Sequence, residues 1–185
     1  LYYDQYFLYL GLTRMLELPE GEVELAFRNV MPGRQATAGV NLFACGHLTP
    51  QLLRRPAWTA HPNGALALVG CTIVASDPAA VAGAMARVFG SSALTRTDEV
   101  TAVQTGTAVL LVADEGDAGQ LHPGFEFQLR DEAARPMVMA IMVDDPDRAA
   151  SFLKLQGIPH RRDSSGAVLV QPEHATGVGL ELVPG

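Results

Sequence analysis

The sequence predicts an α+β protein in which one unit of secondary structure occurs twice. Residues 71–90 and 139–158 align on Asp77 and Asp145, each of which is followed by proline. Both copies have an apolar strand before the aspartate, a helix with one apolar face after it, and a glycine at the helix end. A repeat on this scale is a property of the fold and supplies no reactive group by itself.

The helix starts are the best-specified part of each copy. Asp77 and Asp145 are expected to be N-caps, because a carboxylate there accepts hydrogen bonds from the free N–H groups of the first turn. Proline suits the next position, where no intrahelical hydrogen bond is lost. Apolar residues then recur at helical spacing, and Gly90 and Gly157 mark the helix ends. Neither aspartate is assigned a catalytic role.

Short apolar segments after each helix complete a βαβββ order in both copies. The strand candidates are 93–97, 100–104 and 106–114 in the first copy, and a hairpin at 160–172 with a final strand at 177–183 in the second. The first module is therefore predicted at 66–114 and the second at 137–185. The polar segment 115–136 is predicted to be the connection between them.

The N-terminal part of the chain does not follow the repeat. Residues 23–30 and 38–47 resemble two strands, and the chain begins at Leu1 instead of Met. We therefore interpret residues 1–50 as an incomplete N-terminal module or a strand pair. The linker into the first module is predicted at 51–65, within a proline-containing stretch.

Composition restricts the classes of partner. The chain has 185 residues, which is enough for a substantial core, and a net charge of −7 that disfavours nucleic acid and anionic membrane surfaces. No apolar run approaches the roughly 20 residues that span a bilayer. Cys45 and Cys71 lie in apolar runs without CxxC spacing, so buried free thiols are expected. These features predict a cytoplasmic protein without nucleic-acid or membrane partners.

A tandem pair of βαβββ modules is the arrangement of the vicinal oxygen chelate superfamily, which the sequence resembles over residues 66–183. The sharpest match is QPEHATGVGLELV at 171–183, which resembles the closing hairpin of epimerase- and glyoxalase-like members. The segment before the first module also resembles bacterial glyoxalase-like proteins. The resemblance implies a half-open, curved mixed sheet that encloses a cleft.

The resemblance also implies a divalent metal as cofactor, held by His or Glu on the first strand of each module and Glu on the last. Glu181 matches the last-strand position of the second module. The corresponding position of the first module is about Leu110, and the first-strand positions are Gly70 and Val138. One matching ligand is too few for a divalent site, which needs several converging N or O donors.

Glu181 is nevertheless the candidate catalytic and metal-binding residue. It lies between Leu180 and Leu182, so strand alternation directs it to the face opposite both leucines. A carboxylate that faces a cleft can act as a base. The alternative is a solvated carboxylate or one paired with an arginine.

The ligand-binding candidates are the aromatic and titratable residues near the module boundary and the closing turn, namely His47, Trp58, His61 and His174. Aromatic rings supply contact area and histidines supply titratable donors. Loop packing and backbone capping explain the same residues equally well. His122 and His160 are predicted to be solvated, because they lie in polar connections.

These observations predict a glyoxalase-like protein that binds a small organic molecule in an inter-module cleft, with metal-assisted lyase, isomerase or dioxygenase-type activity. The alternative is a non-catalytic protein that sequesters a drug or aromatic compound and retains a degenerate metal site. In a third interpretation the modules are structural and serve mainly to form a homodimer. Measurement of bound metal separates the first interpretation from the other two.

Overall fold

The computed structural model describes residues 2–4, 7–33, 35–129 and 133–185. The chain divides into two compact units, Leu1–Thr59 and Ala60–Gly185. No helix among the described residues is long and apolar enough to cross a membrane.

The N-terminal unit contains an antiparallel sheet of four strands that pair in chain order. Its elements are β1 (Tyr2–Asp4), β2 (Phe7–Leu18), β3 (Gly21–Pro32), β4 (Ala44–His47), α1 (Pro50–Leu53) and α2 (Pro56–Thr59). The strand predicted at 38–47 is shorter in the structure. Its first residues form a turn, closed by hydrogen bonds between Thr37 and Val40.

The C-terminal unit is built on a mixed sheet of eight strands with three α-helices. Its strands are β5 (Ala65–Ala75), β6 (Leu94–Arg96), β7 (Thr101–Gln104), β8 (Val109–Ala113), β9 (Ala134–Val143), β10 (Arg161–Arg162), β11 (Val168–Val170) and β12 (Gly179–Pro184). Its helices are α3 (Pro78–Phe89), α4 (Glu115–Leu121) and α5 (Pro146–Leu155). The strand order across the sheet is β10-β11-β12-β9-β5-β8-β7-β6.

Two βαβββ modules lie side by side in this sheet. In each module the last strand returns parallel to the first, so β8 pairs with β5 and β12 pairs with β9. The two first strands, β5 and β9, pair antiparallel at the centre. The predicted α+β class, with tandem modules in a half-open, curved mixed sheet, is confirmed.

The helix caps predicted for the two modules are present. Asp77 accepts a hydrogen bond from the N–H of Ala80, and Asp145 accepts one from the N–H of Asp147. Gly90 follows the end of α3 with φ of 87°, a backbone conformation that glycine adopts at little cost. Local sequence therefore defines both helices.

Strand alternation gives the second module two different faces. One face packs against α5 in a core of Val143, Ala149, Leu153, Val168, Val170 and Leu182. The other face contributes Val138, Ala167 and Leu169 to a separate core that contains Phe125. Because Phe125 belongs to the connection between the modules, the connection forms a third layer on the sheet.

The connection itself is ordered by helix α4 and by two contacts. Asp114 caps α4 by accepting a hydrogen bond from the N–H of Asp117. Glu115 accepts another from the N–H of Leu129, which links the two ends of the segment. The sequence of α4 is polar and contains glycine, and it has no apolar pattern that predicts a helix, since Ala118 is its one buried residue. The structure of the connection therefore depends on these hydrogen bonds more than on a local helical pattern.

Candidate functional site

Glu181 points away from the α5 core and toward the connection. On β12 it lies between Leu169 of β11 and Ala140 of β9, and its neighbour Leu182 is buried against α5. The predicted alternation of Glu181 with its leucine neighbours is therefore present. The side chain of Glu181 is 17% exposed, so its carboxylate is largely shielded from water.

The partner of Glu181 is a histidine from the connection. Nδ1 of His122 lies 2.6 Å from Oε1 of Glu181. Nε2 of the same ring lies 2.7 Å from the hydroxyl oxygen of Thr72 on β5. The three side chains thus form a continuous hydrogen-bonded chain from one module to the other through the connection.

The prediction that His122 is solvated is wrong. The residue is 8% exposed, because it caps the C-terminus of α4 and its ring is directed at the sheet. Phe125 and Phe127 pack edge-on against the imidazole, with ring centroids 6.4 and 6.2 Å away. The connection is polar in composition, but its two phenylalanines bury the histidine.

A close contact holds the connection at this position. The ring of Phe125 covers Gly179 so closely that a Cβ atom on the glycine would lie 2.6 Å from Cε1 of the ring. Gly179 is two residues from Glu181 and therefore on the same face of β12. Because glycine has no side chain, residue 179 leaves room for the ring of Phe125, which packs against His122.

The hydrogen-bonded chain accommodates two protonation states of the imidazole. In the neutral ring with its proton on Nδ1, His122 donates to the Glu181 carboxylate and accepts from the Thr72 hydroxyl. In the imidazolium, both nitrogens donate and the Thr72 oxygen accepts. A hydroxyl serves as donor or acceptor, so the polar atoms that form the chain are paired in either arrangement.

A cavity of about 390 Å³ opens beside the Glu181–His122 pair. Its polar wall includes Glu181, His122, Gln120, Asp163 and Ser165, and its apolar wall includes Leu121, Pro123, Ala167, Leu169 and Val183. The structure therefore places the Glu181–His122 pair in the wall of a space large enough for a small organic molecule.

Asp163 is a negative charge in this wall. Burial acts to raise the pKa of its carboxyl, but hydrogen bonds from the Ser165 hydroxyl and from the backbone N–H groups of Ala167 and Ser165 outweigh burial and lower the pKa. The carboxylate is therefore ionised at neutral pH.

A larger cavity of about 840 Å³ is lined by other residues of the connection, together with residues of β9 and of the closing turn. Its wall includes Arg135, Glu126, Gln128 and Glu173 but neither Glu181 nor His122. The Arg135 guanidinium donates a hydrogen bond to the carbonyl of Gly177 in the closing turn. The smaller cavity is the candidate site despite its lower volume, because the hydrogen-bonded Glu181–His122 pair lies in its wall.

The predicted ligand-binding residues fall in both units. His47 ends β4 and its ring packs edge-on against Phe27, whereas Trp58 lies on α2 beneath the guanidinium of Arg55. Both belong to the N-terminal unit. His61 precedes β5, and the exposed His174 ends a short 3₁₀ turn before β12. None of these four residues lines the cavity beside Glu181.

The strand pairing corrects which residue of the first module is equivalent to Glu181. Glu181 is opposite Ala140, and the matching pair in the first module is Leu111 opposite Thr72. The residue equivalent to Glu181 is therefore Leu111 and not Leu110. Leucine cannot bind a metal ion, so the conclusion about this position is unchanged.

The described residues do not fit a divalent metal. Within the ranges that the structure describes, no group of three or more His, Cys, Asp or Glu residues is placed to hold an ion. Glu181 and His122 supply two donors, and these donors are bonded to each other. A divalent site with open positions uses about three protein ligands, which the Glu181–His122 pair does not provide.

Comparisons with known proteins were made on sequence and on structure. No protein-family model matches the sequence, and no curated protein matches it either. Among solved structures, a hypothetical protein from Staphylococcus aureus is similar with a TM-score of 0.59 and 6% identity, over 98% of this chain and 57% of that one. The chain therefore spans little more than half of that protein.

Two enzymes of the superfamily are also among the similar structures. Methylmalonyl-CoA epimerase from Mycobacterium tuberculosis has a TM-score of 0.45 and 20% identity, over 68% of this chain and 91% of the enzyme. Lactoylglutathione lyase from Agrobacterium tumefaciens has a TM-score of 0.27 and 19% identity, over 64% of this chain and 93% of the enzyme.

The order and direction of the strands define the class of protein. Two βαβββ modules, each with its last strand parallel to its first, join through antiparallel first strands in one eight-stranded sheet. The chain has the fold of the vicinal oxygen chelate superfamily, and the predicted resemblance is confirmed at the level of the fold.

Proposed function

We propose that the protein binds a small organic molecule in the cavity beside Glu181 and His122, without a resident divalent metal. This is the predicted non-catalytic binding protein with a degenerate metal site. The observation that carries the proposal is the 2.6 Å contact between Glu181 and His122 in the cavity wall. The carboxylate at the family's ligand position is held by an imidazole of the same chain.

The cavity has the features of a small-molecule site. Binding pockets commonly enclose about 300–1,000 Å³ and combine apolar walls with a few fixed polar groups, and this cavity of about 390 Å³ lies within that range. Within its wall, His122 is bonded to Glu181 and the Ser165 hydroxyl donates to Asp163. A ligand would therefore meet donors and acceptors that are already oriented, which lowers the entropic cost of binding.

The test combines metal analysis with blocking of the cavity. Purified protein is dialysed against one equivalent of Zn²⁺, Mn²⁺ or Ni²⁺, and retained metal is measured by mass spectrometry. We expect well under one equivalent, and no change in melting temperature on addition of EDTA. One tightly held equivalent that is lost in Glu181→Ala would overturn the metal-independent proposal and support the metal-assisted enzyme.

Ligand binding is tested separately by native mass spectrometry of protein purified under mild conditions and by screening a library of small organic molecules. Gln120→Trp is a suitable blocking variant, because Gln120 is exposed at the cavity wall and a larger side chain reduces the space. Glu99→Trp, on an exposed turn away from the wall, is the matched control. Molecules that bind the wild type and the control but not Gln120→Trp would support the proposal.

The Glu181–His122 pair favours one second candidate, a lyase- or isomerase-type reaction with Glu181 as the base. As a general base, the Glu181 carboxylate would accept a carbon-bound proton from the substrate, while the hydrogen bond from His122 to Oε1 holds the carboxylate in position. Exchange of a carbon-bound proton next to a carbonyl for deuterium, lost in Glu181→Gln, would identify this activity. Binding without any exchange would favour sequestration.

Several predictions extend beyond this cavity. A homodimer and a cytoplasmic location remain predictions, and light scattering of the purified protein tests the first of them. Ligand binding by His47, Trp58, His61 and His174 also remains a prediction. Their alanine variants are expected to keep affinity for any molecule that Gln120→Trp excludes, because none of the four lines the cavity.

A further inference from the structure

We infer that the cavity beside Glu181 selects a small organic cation, an amine carried on an apolar body, over neutral or anionic molecules of the same shape. This inference rests on the proposed function, since it names the class of ligand that the same cavity takes. The juxtaposition that carries it is two carboxylates, Glu181 and Asp163, in one wall of a cavity whose described lining residues include no Lys or Arg.

The two basic residues that precede Asp163 in the chain direct their side chains elsewhere. Arg162 is adjacent to Asp163, but its guanidinium donates to the carboxylate of Asp147 and to the carbonyl of Gly166. The guanidinium of Arg161 lies against Gly124, where a Cβ atom would collide with it. Neither arginine is among the lining residues, so the carboxylate charges of the wall are not neutralised from within the cavity.

Glu181 retains an acceptor for a ligand. His122 is bonded to Oε1, and the structure gives Oε2 no hydrogen bond to any described residue. His122 contributes no acceptor of its own, because both of its nitrogens are occupied, by Glu181 and Thr72. A ligand that donates hydrogen bonds is therefore matched to this wall, whereas a carboxylate or phosphate would face like charge.

The rest of the lining is suited to hydrocarbon. Leu169, Ala167 and Val183 belong to the sheet face, and Leu121 and Pro123 flank His122 at the C-terminal end of α4. Burial of a ligand's apolar body against these residues is favourable, because it removes apolar surface from water. The ammonium group supplies orientation through its hydrogen bonds, and the apolar body supplies much of the affinity.

Three probes of nearly equal size test the inference: 2-phenylethylamine, 2-phenylethanol and phenylacetate. Calorimetric titration of the full chain at pH 7 is expected to rank the amine first, about tenfold or more tighter than the alcohol, because both donate a hydrogen bond but only the ammonium carries a charge opposite to that of the carboxylates. Phenylacetate is expected to bind weakest. Equal affinity for all three probes, or preference for phenylacetate, would overturn the inference.

Variants assign the effect to the two carboxylates. Glu181→Gln and Asp163→Asn are each expected to reduce the amine-to-alcohol preference several-fold, whereas Asp98→Asn on an exposed turn should leave it unchanged. Asp163→Asn keeps an acceptor oxygen for the hydrogen bonds of its loop. It therefore serves as the test variant if Glu181→Gln does not fold. A preference that survives both substitutions would show that these carboxylates do not select the ligand.

Gln120→Trp separates failure of this inference from failure of the proposed function. Binding of the alcohol or phenylacetate as tightly as the amine, with all binding lost in Gln120→Trp, would retain the cavity as the site and reject the cation preference. Amine binding that persists in Gln120→Trp would place the amine elsewhere and reject the inference. Absence of binding by any probe, together with an empty cavity in native mass spectrometry, would reject both.

Discussion

Nδ1 of His122 and Oε1 of Glu181 lie 2.6 Å apart although 59 positions separate the two residues in the chain. The contact joins the connection between the modules to the last strand of the second module. It uses the carboxylate that family comparison marks as a metal ligand. This one hydrogen bond joins the connection to the sheet, and it gives the residue predicted as a metal ligand a protein partner instead.

The first prediction concerns the stability of this pair. Glu181→Leu leaves His122 without its carboxylate partner, and His122→Phe leaves both Glu181 and Thr72 without the imidazole, so we expect each to lower the free energy of unfolding by about 2–3 kcal/mol. The double variant should lose about 1–2 kcal/mol less than the sum, because it removes both partners together. Urea unfolding checks the cycle, with Glu99→Gln as a neutral control. Additive losses would show that the two residues do not interact.

The second prediction concerns the contact that seats the connection. Gly179→Ala would place Cβ 2.6 Å from the ring of Phe125, so we expect a loss of about 1–3 kcal/mol from overpacking. Gly83→Ala is the matched control, because a Cβ there meets nothing within 4 Å and Gly83 lies within α3. Alanine in a helix should stabilise the control by roughly 0.5–1 kcal/mol. Equal effects of the two substitutions in thermal unfolding would contradict the close contact.

The third prediction concerns pH. Although burial acts to raise it, the pKa of Asp163 in the folded protein is lowered by hydrogen bonds to its carboxylate. A folded-state pKa below the unfolded value, which is about 3.9 for Asp, stabilises the protein above that pH. The stabilisation disappears as pH falls through the folded-state pKa. Asp163→Asn should therefore lower stability at pH 7 by less than about 1 kcal/mol, since the group is screened by solvent.

Unfolding curves at pH 7 and at about pH 2.5, below the ordinary range of an Asp carboxyl, provide the measurement. The difference between wild type and Asp163→Asn should shrink at the lower pH. Asp98→Asn, measured at the same two pH values, serves as the control. A difference that grows on acidification would reverse the sign and contradict the prediction.

The fourth prediction concerns the two thiols, and it includes a correction. Both cysteines were expected to be buried, but Cys45 is exposed because it lies on the short strand β4, which has no buried residue. Burial raises the pKa of the Cys71 thiol, so less of it is thiolate at any given pH. We expect one fast equivalent of labelling by Ellman's reagent, absent in Cys45→Ser. The second equivalent should appear only on unfolding, and two fast thiols in the folded protein would contradict this.

Local signals account for much of the C-terminal unit. The Asp77 and Asp145 caps depend on contacts two or three residues away, so they can be recognised without knowledge of the rest of the fold. Alternation along 179–183 likewise places Glu181 opposite its leucine neighbours, because the side-chain period of a strand is two residues. The exact partner position in the first module, Leu111, required the strand register.

The connection was harder to predict for a physical reason. Its helix α4 buries one residue, Ala118, and so has no apolar stripe that a periodicity search detects. Phe125, Phe127 and Leu129 occupy every second position in part of the connection. Such apolar alternation indicates a segment that packs on one face, although the overall composition of the connection is polar. Recognition of that alternation would have indicated burial of the neighbouring His122.

By itself the sequence determined the repeated βαβββ order, its helix caps and the face of β12 on which Glu181 lies, because each depends on contacts within a few residues. Only the tertiary structure decided that His122 bonds to Glu181 and Thr72, and that a cavity lies beside them. Those contacts join the connection to strands 50 and 59 positions away. They exist because Phe125 packs on Gly179, a steric fit between distant residues that no local pattern encodes.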